Sequence, residues 1–374
     1  MANMLDYLDW RGDLSLMADP WNDVDSLIMA CLCYLDLQQV AEQPLTLREA
    51  ADTLPPYTPQ SGVKGSFHGS NRALIVLCAL TQRLSETVLH SYVNEVDQEK
   101  EMQFSALTAD LSDGSRCVAF RGTDSSIIGW RENFSMAFET VPAQTAAAAY
   151  LEKAAHAGKR LTVVGHSKGG NLAMYAAAHV SAAAQGLIDR VCSFDGPGLD
   201  DATVASEGYS RVSGRMRSLI PQSSVVGLLL AHQEEYMVVH SNAVGLLQHD
   251  PFSWQVAGRR FLEVEQVDRA SQVVDQTVHE WLRQLSTEDR QLFVNTLFDL
   301  LESGNASNVN GLLGDLPAIL GATRRLSPAT MLTMAAMIGR LLKIGAENVR
   351  DAITAQTRQT LPADTENGGE PLHG

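Results

Sequence analysis

From Met102 onward, short continuous apolar runs alternate with longer stretches whose apolar residues recur three and four apart. This is the pattern of buried strands separated by helices. MQFSALTADLSDGSRCVAFRGTD (102–124) predicts two strands joined by a turn at Ser112-Asp113-Gly114. An alanine-rich stretch at about 143–157 predicts a helix ended by Gly158. LTVVG (161–165) follows as a core strand and Gly169 to Ala178 as a helix, with VCSF (191–194), MRSLI (216–220) and YMVVH (236–240) as further strands. Strand, helix and strand at this spacing imply crossover connections, hence an α/β fold with a mostly parallel central sheet flanked by helices.

The flanks read differently. Asp23 or Asp25 is expected to cap a helix over Ser26–Leu37, whose Leu27, Ile28, Cys31, Leu32 and Leu35 form a wide apolar stripe. Residues 53–72 hold three prolines, several glycines and small polar residues, and read as a loop. The segment 73–92 reads as helix. After Phe261 the pattern becomes helical: Ser286 with Asp289 resembles a capping pair, and Ser327-Pro328 supplies a cap and a first-turn proline. Leu332, Met334, Met337, Ile338, Leu341 and Leu342 in the last helix are expected to be core. The expected organisation is an α/β-hydrolase domain with its N-terminal helical segment over 1–262, a C-terminal helical extension over 263–360, and a disordered tail over 361–374.

Composition narrows the function classes. The 374 residues are 45% hydrophobic and 19% charged, as in a globular protein, and the formal net charge of −16 with no basic block argues against a nucleic-acid partner. The five cysteines, at 31, 33, 78, 117 and 192, are odd in number and fall in apolar runs, which suits reduced thiols. The N-terminus lacks the basic region and apolar core of a signal peptide, and no uninterrupted apolar run reaches spanning length. The expectation is a cytoplasmic protein without a transmembrane segment, which leaves peripheral membrane contact open.

The candidate chemistry lies at LTVVGHSKGGNLAMY (161–175). Gly165-His166-Ser167-Lys168-Gly169 satisfies G-x-S-x-G after an apolar strand and before a helix, the context of a nucleophile elbow. Such a turn lifts Ser167 Oγ and aims the helix N-terminus at developing negative charge. The Lys168 backbone N–H is the natural first oxyanion donor. Thr123, in the glycine turn after CVAF, is the second candidate. The Lys168 side chain is expected at the cleft mouth or in solvent. Trp130, Phe134 and Phe138 share a helix face and read as core or lid packing.

Phe120-Arg121-Gly122-Thr123 followed by GHSKGG resembles the pairing in class 3 lipases. More closely, LDYLDWRGDLSL, FRGTD, GHSKGGNLA, FDGPG, IPQSSVVGLLL and QHDPFSW, in that order over residues 4–262, resemble a bacterial Mbeg1-like family of lipase-like α/β-hydrolases. The resemblance implies an α/β-hydrolase fold. His249 in Gln248-His249-Asp250-Pro251-Phe252 resembles the class 3 lipase histidine near an acidic-aromatic segment and is the first choice of base, ahead of His240 and His232. In class 3 lipases the acid lies where this chain has IPQSSVVG, with Ser223 and Ser224 in place of a carboxylate. Asp195 of Phe194-Asp195-Gly196-Pro197-Gly198, just past a core strand, is the expected substitute. It gives the nucleophile–acid–histidine order Ser167, Asp195, His249. Asp250 and Glu235 are the alternatives.

These residues predict a serine hydrolase acting on a small-molecule or lipid ester through an acyl-enzyme, with no metal or organic cofactor. A non-catalytic α/β-hydrolase-like binding or scaffold protein is the rival, favoured by the missing carboxylate near Ser223.

Overall fold

In the computed structural model the chain is described over residues 2–54, 67–97, 99, 102–123, 136, 140–224, 226–228, 236–286, 288–290, 292–293, 296 and 326–360. Five helices precede most of the sheet: α1 Met4–Arg11, α2 Asp23–Leu32, α3 Gln38–Glu42, α4 Leu47–Thr53 and α5 Phe67–Leu80. An eight-stranded sheet runs in strict chain order through β1 Leu45–Thr46, β2 Val88–Asp97, β3 Met102–Asp110, β4 Arg116–Phe120, β5 Leu161–His166, β6 Ile188–Phe194, β7 Met216–Pro221 and β8 Tyr236–Val239. Strands β1 to β4 pair antiparallel, whereas β4 to β8 pair parallel.

Sequential order among parallel strands has a layering consequence. Right-handed crossovers that always advance in one direction leave their helices on one face. That face carries α6 Pro142–Ala155, α7 Lys168–His179, α8 Ala182–Leu187, α9 Asp201–Val204 and α10 Glu207–Val212, packed on Ala106, Val118, Phe120, Val163 and Val191. The opposite face needs another cover. It is supplied by α1, α2 and α5 together with Phe252, Trp254, Val256 and Phe261, packed on Leu107, Cys117, Ala119, Val164, Cys192 and Phe194. The two sets alternate along β4, the period-two signature of a strand buried on both sides.

Several expectations change here. Helix α2 is capped by Asn22, whose side chain accepts from the Val24 and Asp25 N–H groups, while Asp25 returns a bond to the Asn22 N–H. Asp25 is buried and forms an ion pair with buried Arg83 at 2.6 Å. The expected helix over 73–92 ends at Leu80, and Val88 opens strand β2. Among the described residues, β8 is followed by the short strands β9 Val256–Ala257 and β10 Arg260–Phe261 and by helices α11 Arg269–Arg283 and α12 Pro328–Thr360.

Helices α11 and α12 share an apolar cluster of Trp281, Leu285, Met334, Met337 and Ile344. Leu332 and Leu342, expected in the core, are 72% and 69% exposed. By length and composition alone, Pro328–Arg350 is long and apolar enough to cross a membrane, although Arg340, Lys343 and Glu347 interrupt it. All five cysteines are buried free thiols.

Candidate active site

Strand β5 delivers the chain into Ser167, whose φ of 58° and ψ of −133° lie where non-glycine residues are strained. The strain is held from both sides. The Ser167 N–H donates to the Phe194 carbonyl at 2.9 Å, and the Gly170 N–H donates to the Ser167 carbonyl at 2.8 Å. Helix α7 starts at the next residue. The elbow admits no side chain at two of its glycines: a Cβ at Gly165 would strike the Gly169 backbone, and one at Gly169 would strike the Phe120 carbonyl at the end of β4. The G-x-S-x-G spacing thus reflects three backbones in contact at the end of the sheet.

Asp195 directly follows β6 and also has positive φ, 49°. Its N–H donates to the Leu219 carbonyl of β7 at 2.8 Å. The carboxylate is 1% exposed, and each oxygen has its own partners. Oδ2 faces His249 Nδ1 at 2.6 Å. Oδ1 accepts from the Ser224 hydroxyl at 2.5 Å and from the Gly227 N–H at 3.1 Å. Ser224 stands in the segment where class 3 lipases carry their acid. In this chain the carboxylate that meets the histidine follows β6, and Ser224, after β7, donates to it.

His249 ends a 3-10 turn, Gly245–His249, whose neighbours are fastened individually. Gln248 accepts from the Ser223 N–H at 2.9 Å, its carbonyl accepts from the Trp254 indole at 2.8 Å, and Trp254 is fully buried. Asp250, the alternative acid, accepts from the Phe252 N–H at 3.0 Å and caps the turn Pro251–Ser253. Because a carboxylate only accepts, His249 Nδ1 is the protonated nitrogen and Nε2 carries the lone pair of the neutral ring.

The structure therefore joins Asp195 with His249. Among the described residues no hydrogen bond links Ser167 Oγ to His249. Ser167 follows His166 in the chain, and the His166 ring lies against that of His249 with centroids 4.7 Å apart. Thr123 follows Gly122, where a Cβ would collide with the Ser167 Cβ, so the turn after β4 lies directly against the elbow. His240 directly follows β8 and sits in backbone pairing with Leu262 and Gln255. His232, Glu235, Trp130, Phe134 and Phe138 lie outside the described residues.

The Lys168 side chain is a correction. It is 1% exposed, turned inward, and donates from Nζ to the Gln103 carbonyl of β3 at 2.6 Å. The buried side chain spends its amine on the β3 backbone and does not reach the cleft mouth or solvent. Two further residues at the site were given no part in it from the sequence. Ser224 had a usable signal, a serine in a lipase acid segment. Tyr34, whose hydroxyl lies 3.0 Å from His166 Nδ1, had none, because it sits far away in sequence.

A search among curated proteins gives no match. Among solved structures the chain is similar to the crystal structure of M37 lipase, at 16% identity and a TM-score of 0.31, covering 45% of this chain and 64% of that one, less than two thirds of its length. A family model described as Mbeg1-like matches residues 78–299, more than half of the chain and the whole stretch that holds Thr123, Ser167, Asp195 and His249. The chain belongs to the Mbeg1-like family.

Proposed function

We propose that this protein is a serine hydrolase that cleaves a carboxylic or lipid ester through an acyl-enzyme. The observation that carries the reading is the buried Asp195 carboxylate, bonded through Oδ2 to His249 Nδ1 at 2.6 Å at the same sheet end as the strained Ser167. In the first half-reaction His249 Nε2 takes the Ser167 hydroxyl proton while Oγ attacks the ester carbonyl carbon. The resulting imidazolium is stabilised by Asp195, and the oxyanion by the Lys168 N–H and Thr123. Collapse expels the alcohol, which receives the proton from His249. Water then attacks the acyl-enzyme with the same base, releasing the acid and restoring Ser167. The preference for esters rests on the lipase-like α/β-hydrolase kinship of the FRGT turn and GHSKG elbow.

Intact-mass analysis after exposure to a fluorophosphonate tests this reading. Wild type gains one adduct, and Ser167→Ala and His249→Ala, both folded by circular dichroism, gain none. A folded wild type that stays unlabelled at high probe concentration defeats the proposal and favours the binding-protein rival.

A further inference from the structure

We propose that Tyr34 and His166 are positioning residues, which lock the turn after β4 and the loop carrying His249 to one another through the back of the elbow. The proposal rests on the serine-hydrolase reading and adds to it a part of the chain that the family match does not cover.

The bonds form a directional chain. At one end the Gly122 backbone runs against the Tyr34 hydroxyl. A side chain at Gly122 would collide with that hydroxyl, so glycine is required for the approach. The Tyr34 hydroxyl meets His166 Nδ1 at 3.0 Å, and His166 Nε2 meets the His249 carbonyl at 2.9 Å. A carbonyl can only accept, so His166 carries its proton on Nε2. In the neutral ring Nδ1 then accepts from Tyr34. Burial, followed by the nearby His249 ring, holds His166 down at about 3, so the ring stays neutral where esters are commonly assayed. The Tyr34 hydroxyl also lies 3.4 Å from the His166 carbonyl, a longer second contact with the same residue.

Packing supports the same unit. Tyr34 meets Phe67 edge-on at 4.8 Å, Phe67 meets Phe252 at 6.0 Å, and the His166 ring lies on that of His249. A histidine serving only as filler would need neither the Tyr34 hydroxyl nor a bond to the backbone of the base. His166 cannot itself be the base, since its Nε2 proton is directed at a carbonyl. Tyr34 follows α2, so the helical cover of the sheet reaches the oxyanion turn and the histidine loop through one hydroxyl group.

The test uses Tyr34→Phe, which removes one oxygen, His166→Leu, which removes both polar atoms, and His166→Gln, which restores one donor and one acceptor. Fluorophosphonate inactivation is resolved into its maximal rate and its half-saturating concentration. Tyr34→Phe and His166→Leu are expected to lose about ten- to a hundredfold in maximal rate, as misplacement of a reacting group by about 1 Å does. Half-saturation should stay unchanged, and His166→Gln should recover most of the rate. In parallel, NMR follows the His249 Nδ1 proton shared with Asp195. It should be sharp in wild type and His166→Gln and broadened in the other two. Variants with native circular dichroism and a wild-type maximal rate overturn the proposal. If wild type does not react at all, the hydrolase reading fails instead, and a sharp Nδ1 proton in Tyr34→Phe would overturn the positioning role by itself.

Discussion

At the scale of single residues, the arrangement turns on how Asp195 is held. Its Oδ1 takes a short bond from Ser224 and a longer one from the Gly227 N–H, which leaves Oδ2 for His249. A hydrogen bond to a charged group contributes about 1.5–3 kcal/mol. Ser224→Ala is therefore expected to slow fluorophosphonate labelling about ten- to a hundredfold without unfolding the protein, measured by the labelling rate beside a melting curve. Ser223→Ala is the internal comparison, because the Ser223 hydroxyl donates to Asp268 and not to Asp195, while its backbone N–H, given to Gln248, is kept.

His166 supplies the pH dependence, with Tyr34, His249 and Asp195 around its ring. Burial first, then the His249 charge, lowers it from 6.5 to about 3 in the folded state. Between those limits the unfolded chain binds the extra proton. The stabilising contribution is complete above pH 6.5 and falls by about 1.4 kcal/mol per pH unit as the solution is acidified towards 3. Urea midpoints at pH 6.5 and 5 should show wild type losing about 2 kcal/mol more than His166→Gln. Equal losses would mean that His166 is charged in the folded protein. Of the candidate site, Ser167 and Asp195 could be singled out because each directly follows a core strand inside a local motif, and His249 because it lies in the Gln248-His249-Asp250-Pro251-Phe252 segment. Tyr34 was not, because only the folded sheet brings it to His166.

At the scale of elements, the elbow is a meeting of β4, β5 and α7 at van der Waals distance. Gly169→Ala drives a methyl group into the Phe120 carbonyl, and overpacking of this kind costs about 1–3 kcal/mol. Gly186→Ala in α8 meets nothing within 4 Å and is expected to stabilise by about 0.5–1 kcal/mol. Thermal melts of the two variants should move in opposite directions. The parallel strands were readable because both of their faces are buried, which makes them continuous apolar runs. Strand β2 was not. Its outer half, Asn94 to Val96, is exposed, a bulge at Ser91 breaks its alternation, and no glycine or proline separates it from α5. The stripe on α12 was over-read, since α11 covers Met334, Met337 and Ile344 but leaves Leu332 and Leu342 exposed.

At the scale of the whole molecule, the N-terminal helices are half of the core. Arg83, just after α5, anchors them: it donates to both oxygens of Asp25 at 2.7 and 2.6 Å and to the Asp19 carbonyl at 2.8 Å. Arg83→Met leaves Asp25 buried without its cation, and breaking a buried pair in this way costs about 3–5 kcal/mol. Chemical denaturation is expected to show that loss. A change below 1 kcal/mol would mean that water reaches Asp25. The sequence pattern could place these helices but not assign their face, because which side of a parallel sheet lacks crossover helices depends on strand order.

That strand order also sets a schedule. Helix α2 and its apolar residues leave the ribosome well before β4, β5 and β6, the strands they cover. At about 5–20 residues per second the interval is on the order of ten seconds. For that time these apolar residues lack the strands that they cover. Their fate then depends on whether a chaperone or the emerging strands reach them first.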